Sequence, residues 1–307
     1  MTEKENLVSV VIVSYNVKDF LLACIDSLYL FEKGSIEIIV VDNNSLDGSM
    51  DEVAKRFPLV KLIRNDFNAG FSSANNMGMQ IATGRFICLL NPDTQLRSNA
   101  LSLMREEANH NHKAIYATTL LNSDNSLQVS CWKFPSLASV ILETFFLHLL
   151  FRVHDYPREK FKARFEPDWA SGAAILFHHS VAEATGGFDT NLFWMDDVDF
   201  CFRAKKLGNQ TIYLKSAGII HHGGKSSAGN QRTAISNQIL SKIKYFMKHH
   251  GPVTAFIAGI FLFLHIITRL FVFSLLSFTR TGRIKLDAYF YSLKKFLYRE
   301  YGNKNTV

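Results

Sequence analysis

Short apolar runs alternate with amphipathic stretches through the first ninety residues of the chain. Val8 to Val13 is a β-branched run, and Lys18 to Leu30 carries Phe20, Leu21, Ile25 and Leu28 at helical spacing, so a strand followed by a helix is predicted. Ile36 to Val41 repeats the strand pattern and stops at Asp42-Asn-Asn-Ser-Leu-Asp-Gly48. A short helix is expected over Met50 to Phe57 and a third strand over Val60 to Ile63. Asn68 to Gly78 opens a further helix ending near Gly84, and Phe86 to Leu90 reads as a fourth strand, apolar throughout and therefore covered on both faces. Such alternation predicts an α/β fold with a parallel, doubly wound sheet. Pro92 cannot donate to a ladder, so the fourth strand ends in an Asn91-Pro92-Asp93 turn. Asp93 is thereby held at the carboxyl edge of the sheet, where open α/β sheets bind their ligands.

The middle of the chain is less regular. Leu137 to Phe151 is strongly apolar and fits either a core helix or a patch that meets a membrane or a partner. Ala170 to Phe177 reads as a buried strand, Phe200 to Leu207 as a helix stopped by Gly208, and Ile212 to Leu214 and Ile219-Ile220 as two short strands. After Ser226 the character changes. Ile235 to His250 is a basic amphipathic helix, and Val253 to Phe278 is an apolar run interrupted by His265 and Arg269. The run exceeds the roughly 20 residues that span a bilayer. Arg269 inside it would cost about 2.5 to 3.5 kcal/mol at a membrane centre, and basic residues on both flanks conflict with the cytoplasmic preference of Lys and Arg. An interfacial or re-entrant helix fits better, with a buried C-terminal helix as the competing reading.

Composition sharpens this division. Hydrophobic residues make up 48% and charged ones 20%, which excludes wholesale disorder. The net charge of +7 is unevenly placed: from Lys225 onward there are 13 Lys and Arg against Asp287 and Glu300, a surplus of 11, so the preceding residues carry −4. A basic, apolar tail on a mildly acidic body suits an anionic lipid surface, each Lys or Arg contributing about 1 kcal/mol there. The long apolar core of the tail makes lipid a better partner than nucleic acid. Cys24, Cys88, Cys131 and Cys201 show no C-x-x-C and read as reduced core residues of a cytosolic protein, neither a disulfide framework nor a zinc site. The opening MTEKENL is mixed in charge and its following apolar run is too short for a signal peptide.

Two further stretches carry chemistry. In Phe193-Trp-Met-Asp-Asp-Val-Asp199, three carboxylates crowd between Trp194 and Phe200, which raises at least one pKa and suits a general base. A helix N-terminus would account for one or two of them. Ile219-Ile-His-His-Gly-Gly224 ends a strand with His221 and His222, either of which, with Asp93, would complete a site for a hard divalent cation, Mg²⁺ or Mn²⁺.

Taken in order, Val11-Ile-Val-Ser-Tyr-Asn16, Val40-Val-Asp-Asn-Asn-Ser-Leu-Asp-Gly48, Asn68-Ala-Gly-Phe71 with Ala74-Asn-Asn-Met-Gly78, Leu89-Leu-Asn-Pro-Asp93, Ser171-Gly-Ala173, Gly187-Phe-Asp189, Asp196-Asp-Val-Asp199 and His221-His-Gly-Gly224 resemble glycosyltransferase family 2, most closely its bacterial rhamnosyltransferase-like members. The resemblance covers residues 7–227 and implies a GT-A catalytic domain over 1–227, with a nucleotide-binding half to about 120, an acceptor half to 227, and a helical, membrane-associating region over 228–307. It also implies inverting transfer of a sugar from a dTDP- or UDP-linked donor. Asp42 would accept the N3–H of the base, with Tyr15, Asn16, Asn44, Gly70 and Asn75 facing the nucleotide. Asp93 matches the last position of the family's metal-binding D-x-D, whose first Asp is here Asn91. Asp197 matches the general base beside Asp196, and His221 or His222 the metal-supporting histidine. Trp169, Gly172, Trp194 and Asp199 would meet the acceptor, a glycan or polyprenyl-linked sugar at the cytoplasmic face of a bacterial inner membrane, contacted through residues 235–299. Transfer to a polyprenyl phosphate, or a non-catalytic sugar-binding protein on the same scaffold, are the alternatives. The intact acidic run argues against the last.

Overall fold

In the computed structural model of this chain the described residues are 7–32, 36–223 and 231–298. The opening MTEKEN, Gly224 of the histidine motif, the 227/228 boundary and the far end of the basic tail lie outside them. The chain divides into two compact units: Met1–Trp132, Tyr156–Asp189 and Phe200–Ser226 form one, and Lys133–Asp155, Thr190–Asp199 and Ser227–Val307 the other.

The first unit begins as the periodicity predicts: β1 (Val8–Ser14), α1 (Lys18–Phe31), β2 (Ile36–Asp42), α2 (Ser49–Arg56), β3 (Lys61–Arg64), α3 (Phe71–Ile81) and β4 (Phe86–Leu90). The β-branched and apolar runs become the inner strands because helices cover both of their faces. All five residues of β4 are buried. After it come β5 (Thr94–Leu96), α4 (Ala100–His110), β6 (Ala114–Leu121), β7 (Leu127–Gln128), β8 (Cys131–Trp132), β9 (Trp169–Ala170), β10 (Ala174–His178), α6 (His179–Thr185), α7 (Asp196–Lys206), whose first turn falls in the other unit, and β11 (Gln210–His221), the helix between β8 and β9 being assigned to the other unit below. The described strands form a sheet in the order β3-β2-β1-β4-β10-β6-β11-β5, with β7 beside β6, and a separate β8-β9 pair.

Pairing is parallel from β3 through β4 and between β6 and β11, while β10 runs antiparallel to both β4 and β6, and β5 antiparallel to β11. The sheet is therefore mixed rather than purely parallel. Register decides which side chains meet at its edge. Ser14 pairs with Asp42 at the carboxyl ends of β1 and β2, and Thr94 pairs with His221. The two strands expected near residues 212 and 219 are one long β11 with a register shift between Leu214 and Ile219, where Gly218 takes φ +99°.

Close packing of α3 on the sheet rests on Gly78. A Cβ there would lie 2.3 Å from Cγ1 of Val11, a clash that forces helix and strand apart. Gly78→Ala should cost about 1 to 3 kcal/mol by overpacking, seen as a lower urea midpoint with unchanged m-value. A neutral effect would mean that α3 slides freely. Across the same helix, the Asn76 amide donates to the Phe188 carbonyl at 2.9 Å and accepts the Phe188 N–H at 2.8 Å, pinning the Gly186-Gly187-Phe188 turn.

The second unit is helical: α5 (Leu137–Thr144), α8 (Gln231–Leu275) and α9 (Arg280–Leu297). In α8 the helix is broken at Gly251, which has φ 83° and ψ 171° and precedes Pro252, so two arms meet where the sequence changes from basic to apolar. Along the second arm, Val253, Phe256, Ile260, Leu264, Ile267, Phe271 and Leu275 are all exposed. Their spacing of three and four traces one face of a helix. Ala255, Ala258, Leu262, Ile266 and Arg269 are buried on the opposite face.

Arg269 explains its own place in an apolar run. Its guanidinium turns inward and donates to the carbonyls of Glu143 and Thr144, 2.7 Å from the latter, capping the C-terminus of α5 where unpaired carbonyls and the helix dipole favour a cation. The Phe146 ring covers it at 3.8 Å. Arg269 is thus matched within the protein. Beside it, the Glu143 carboxylate lies 2.5 Å from His154 Nε2 and accepts from Lys242 at 2.8 Å. Burial would push this carboxyl up, but Lys242 and His154 hold it well below the ordinary carboxylate range.

Candidate active site

The carboxyl ends of β1, β2 and β4 lie along one edge of the first unit, since the strands are parallel. Asp42 is buried there, its carboxylate accepting the Ser45 N–H at 3.1 and 3.3 Å and bracing the loop after β2. Asn16 braces this loop to the one after β1: its side chain accepts the Leu46 N–H at 2.8 Å, and its own N–H donates to Ser45 Oγ at 2.9 Å. Asn16 and Asn44 both hold left-handed backbone, φ 51° and 66°, which asparagine tolerates better than most residues. Tyr15 is half-buried in the same loop.

Gly70, with φ 81°, starts α3, and its carbonyl accepts from Asn43 at 3.4 Å. Asn43 also accepts from Asn65 at 3.0 Å, so a buried asparagine not singled out from the sequence ties the β2, β3 and α3 loops together. Its neighbours in the motif masked it: a run of Asn-Asn does not say which one turns inward. Asn75 is buried in α3, and its amide donates to the Phe71 carbonyl one turn back, at 3.0 Å.

The register between β5 and β11 brings Asp93 and His221 together. Asp93 is buried and its Oδ1 lies 3.4 Å from His221 Nε2, with Asn91 Nδ2 3.3 Å from the same nitrogen. Gln128 settles the tautomer. Its amide nitrogen donates to Asn122 and to the His221 carbonyl, which leaves its oxygen to accept from His221 Nδ1 at 2.6 Å. With the proton on Nδ1, the Nε2 lone pair faces a carboxylate oxygen. His222 points elsewhere: its Nδ1 meets Ser123 Oγ at 2.8 Å and its ring packs 5.1 Å from Phe20, while its backbone N–H donates to the Asp93 carbonyl. Among the described residues no group of three or more His, Cys, Asp or Glu could hold a metal. Gln128 carries no motif signal in the sequence, since only the β6-β7 pairing places it beside His221.

Ala173 accepts the Asn91 N–H at 2.9 Å, seating the Ser171-Gly172-Ala173 turn, with Gly172 buried, beside the Asn-Pro-Asp turn. Trp169 stacks on Trp132, ring centroids 4.6 Å apart, across the β8-β9 pair. Trp132, the partner in this stack, is marked by no sequence motif.

In the second unit, the acidic run begins α7 four residues before the helix start read from the sequence, so all three carboxylates lie in its first turn. Negative side chains there are favoured by the helix dipole. They differ in access. Asp196 and Asp199 are buried, whereas Asp197 is half-exposed, with Oδ1 accepting the Val198 N–H at 2.9 Å. The Asp199 carboxylate is 0% exposed and bound by Lys248 at 2.8 Å and His249 at 2.6 Å, fastening the first turn of α7 to α8. Trp194 is 42% exposed and holds φ 70°.

The sequence profile of the family described as "Glycosyl transferase family 2" matches residues 9–157. An N-acetylglucosaminyl-diphospho-decaprenol L-rhamnosyltransferase of Mycobacterium tuberculosis is 25% identical over 264 residues, covering 80% of this chain and 86% of that protein. A UDP-Glc:alpha-D-GlcNAc-diphosphoundecaprenol beta-1,3-glucosyltransferase of Escherichia coli is 34% identical over 106 residues, 33% of this chain and 42% of that one. Among solved structures, a mannosyltransferase from Pyrobaculum calidifontis in complex with GDP-Man and Mn²⁺ superposes with a TM-score of 0.59 at 17% identity, covering 95% of this chain and 87% of that chain. This last likeness is one of fold, the GT-A architecture.

Proposed function

Because this chain belongs to the family 2 glycosyltransferases, we propose that it moves a sugar, with inversion, from a dTDP- or UDP-linked donor to a hydroxyl of a lipid-linked glycan. The observation that carries the reading is the Asp93–His221 pair at the sheet's carboxyl edge, its tautomer held by Gln128. In this reading Asp42 receives the base, since a buried carboxylate at a strand end can accept an imide N–H. Asn16, Asn44 and Gly70 shape the loops around the nucleotide. Asp197, the accessible carboxylate of α7, takes the proton of the attacking hydroxyl. Trp169 with Trp132, and Trp194, offer apolar faces to sugar rings.

A divalent cation fits the residues present. Asp93 supplies a carboxylate oxygen and His221 a neutral imidazole nitrogen, donors suited to Mn²⁺ or Mg²⁺. When bound, the cation offsets the charge of the diphosphate leaving group. Two protein donors leave room for phosphate oxygens and water. Gln128→Ala frees the imidazole and should weaken Mn²⁺ binding by about 10- to 100-fold, the range for losing a partner that orients a metal ligand. Calorimetric titration of Mn²⁺ in the presence of donor nucleotide reads this directly, and an unchanged affinity would remove His221 from the site.

The second arm of α8 supports placement at a membrane. By length and composition α8 could cross one. Its exposed apolar stripe, opposite a buried face, suits a helix lying in the interface at the cytoplasmic leaflet, whose anionic lipids complement the basic tail. The test of the whole reading is a matrix of dTDP- and UDP-sugars against a polyprenyl-diphosphate-linked N-acetylglucosamine acceptor, with mass spectrometry of the lipid product. Donor hydrolysis without a glycosylated lipid in every combination would overturn it.

A further inference from the structure

We propose that the helical unit also holds a binding site for the phosphoryl headgroup of a membrane lipid, distinct from the residues assigned to transfer. The site is a cavity of about 260 Å³ lined by Glu143, His148, Lys242, His265, Arg269 and Tyr289, drawn from α5 and the turn after it, both arms of α8, and α9. At roughly 30 Å³ per water it has room for several, yet it falls below the roughly 300 Å³ at which sites begin to enclose whole drug-sized ligands. That size suits a headgroup and is too small for a nucleotide sugar.

The polar lining carries more donors than acceptors, even with Gln238, whose amide adds both. Lys242 and Arg269 bring two positive charges against the one carboxylate of Glu143, whose two oxygens are taken by His154 and Lys242. The Nδ1 atoms of His148 and His265 are buried without a hydrogen-bond partner among the described residues. Buried polar nitrogens are rarely left unmatched, and two of them in one cationic cavity point to a ligand that accepts hydrogen bonds. Either imidazole can carry its proton on Nδ1 and donate it, while the Lys242 ammonium and the Tyr289 hydroxyl add donors from other walls. A phosphoryl oxygen is the acceptor this set matches best.

Depth favours a lipid as the source. His265 and Arg269 face inward on the arm of α8 whose outward face carries Leu264, Ile267 and Phe271. An interfacial helix sinks its apolar face about 5 to 10 Å and is itself about 10 Å across. The inward face then lies near the level of lipid phosphates. This step rests on the membrane reading above, so the test must separate the two.

The full-length protein is floated with vesicles of phosphatidylcholine alone, of phosphatidylcholine with phosphatidylglycerol, and of phosphatidylcholine with a polyprenyl diphosphate. Binding of soluble geranyl diphosphate is measured separately in saturating donor nucleotide. The double variant His148→Asn with His265→Gln should lose about tenfold in affinity for lipid with a net-anionic phosphoryl headgroup and for geranyl diphosphate, while its partition onto zwitterionic phosphatidylcholine, whose phosphate is already matched by choline, and its nucleotide affinity stay unchanged. A loss confined to the diphosphate lipid identifies a polyprenyl diphosphate as the source, and an equal loss on phosphatidylglycerol identifies anionic phospholipid in general. Tyr289→Phe, which removes one hydroxyl at constant volume, should shift binding the same way and covers the case of a poorly folded double variant. Failure of the wild type to bind any vesicle would sink the membrane reading alone, because geranyl diphosphate still reports on the cavity. Unchanged affinity of the variants for every phosphoryl ligand overturns the site.

Discussion

Asp197→Asn should lower kcat for sugar transfer by about 10²- to 10⁴-fold, the span that a positioned general base supplies. The amide keeps the volume and can still accept the Val198 N–H through Oδ1, so α7 keeps its first turn. Donor affinity, measured calorimetrically, should stay within about twofold, because an interaction made only in the transition state leaves ground-state binding alone. Wild-type turnover in this variant would remove Asp197 from the chemistry. Asp199→Asn should fail differently. Its carboxylate is buried between Lys248 and His249, and breaking a buried pair typically costs about 3 to 5 kcal/mol. The expected result is a lower melting temperature, with the surviving folded fraction turning over near normally. The same acidic run thus contains one residue whose loss costs rate and another whose loss costs stability.

The second large effect is on location. Phe256 and Phe271 stand 71% and 67% exposed on the outward stripe of α8, so Phe256→Asp with Phe271→Asp should leave the helical packing intact. Each phenyl ring withdrawn from an apolar environment forfeits about 1.5 to 3 kcal/mol. Together that is a drop of roughly 10²- to 10⁴-fold in membrane partition before any charge penalty. The protein should move from the membrane pellet to the supernatant on fractionation, most completely in high salt, which screens the contribution of the basic residues. Continued sedimentation of the double variant with membranes would show that the stripe meets another partner.

How far the sequence can be read depends on what periodicity encodes. The apolar runs of β1, β2 and β4 and the helical spacing of α1 are legible because burial on both faces, or on one stripe, writes itself into residue order. Strand direction does not. β10 has the same apolar signature as β4 yet pairs antiparallel with it, and Ser171-Gly172 separates it from β9 inside what reads as one strand. α4 and β6 escape notice because nothing in their stretch stands out as a motif. The motif carboxylates are legible, but their environments are not: half-exposed Asp197 and buried Asp199 share one turn of helix, and only the packing of α8 decides between them. Arg269 reads as a defect in a membrane run because the α5 carbonyls it caps lie more than 120 residues earlier in the chain. Gln128 and Asn43 acquire their roles from strand pairing and loop closure, which no local pattern announces.

All four thiols of the chain are enclosed in its interior, and burial pushes that of Cys24 up to about 12 and those of Cys88 and Cys131 higher still. A thiolate-seeking reagent therefore finds nothing to alkylate in the native protein. Labelling can proceed only through opening events that bring the interior to solvent, so its rate becomes a built-in clock for those events. Because Cys24 and Cys88 report from the sheet core and Cys131 from the small β8-β9 pair, mass spectrometry of the labelled peptides would show whether these regions come apart together or in turn.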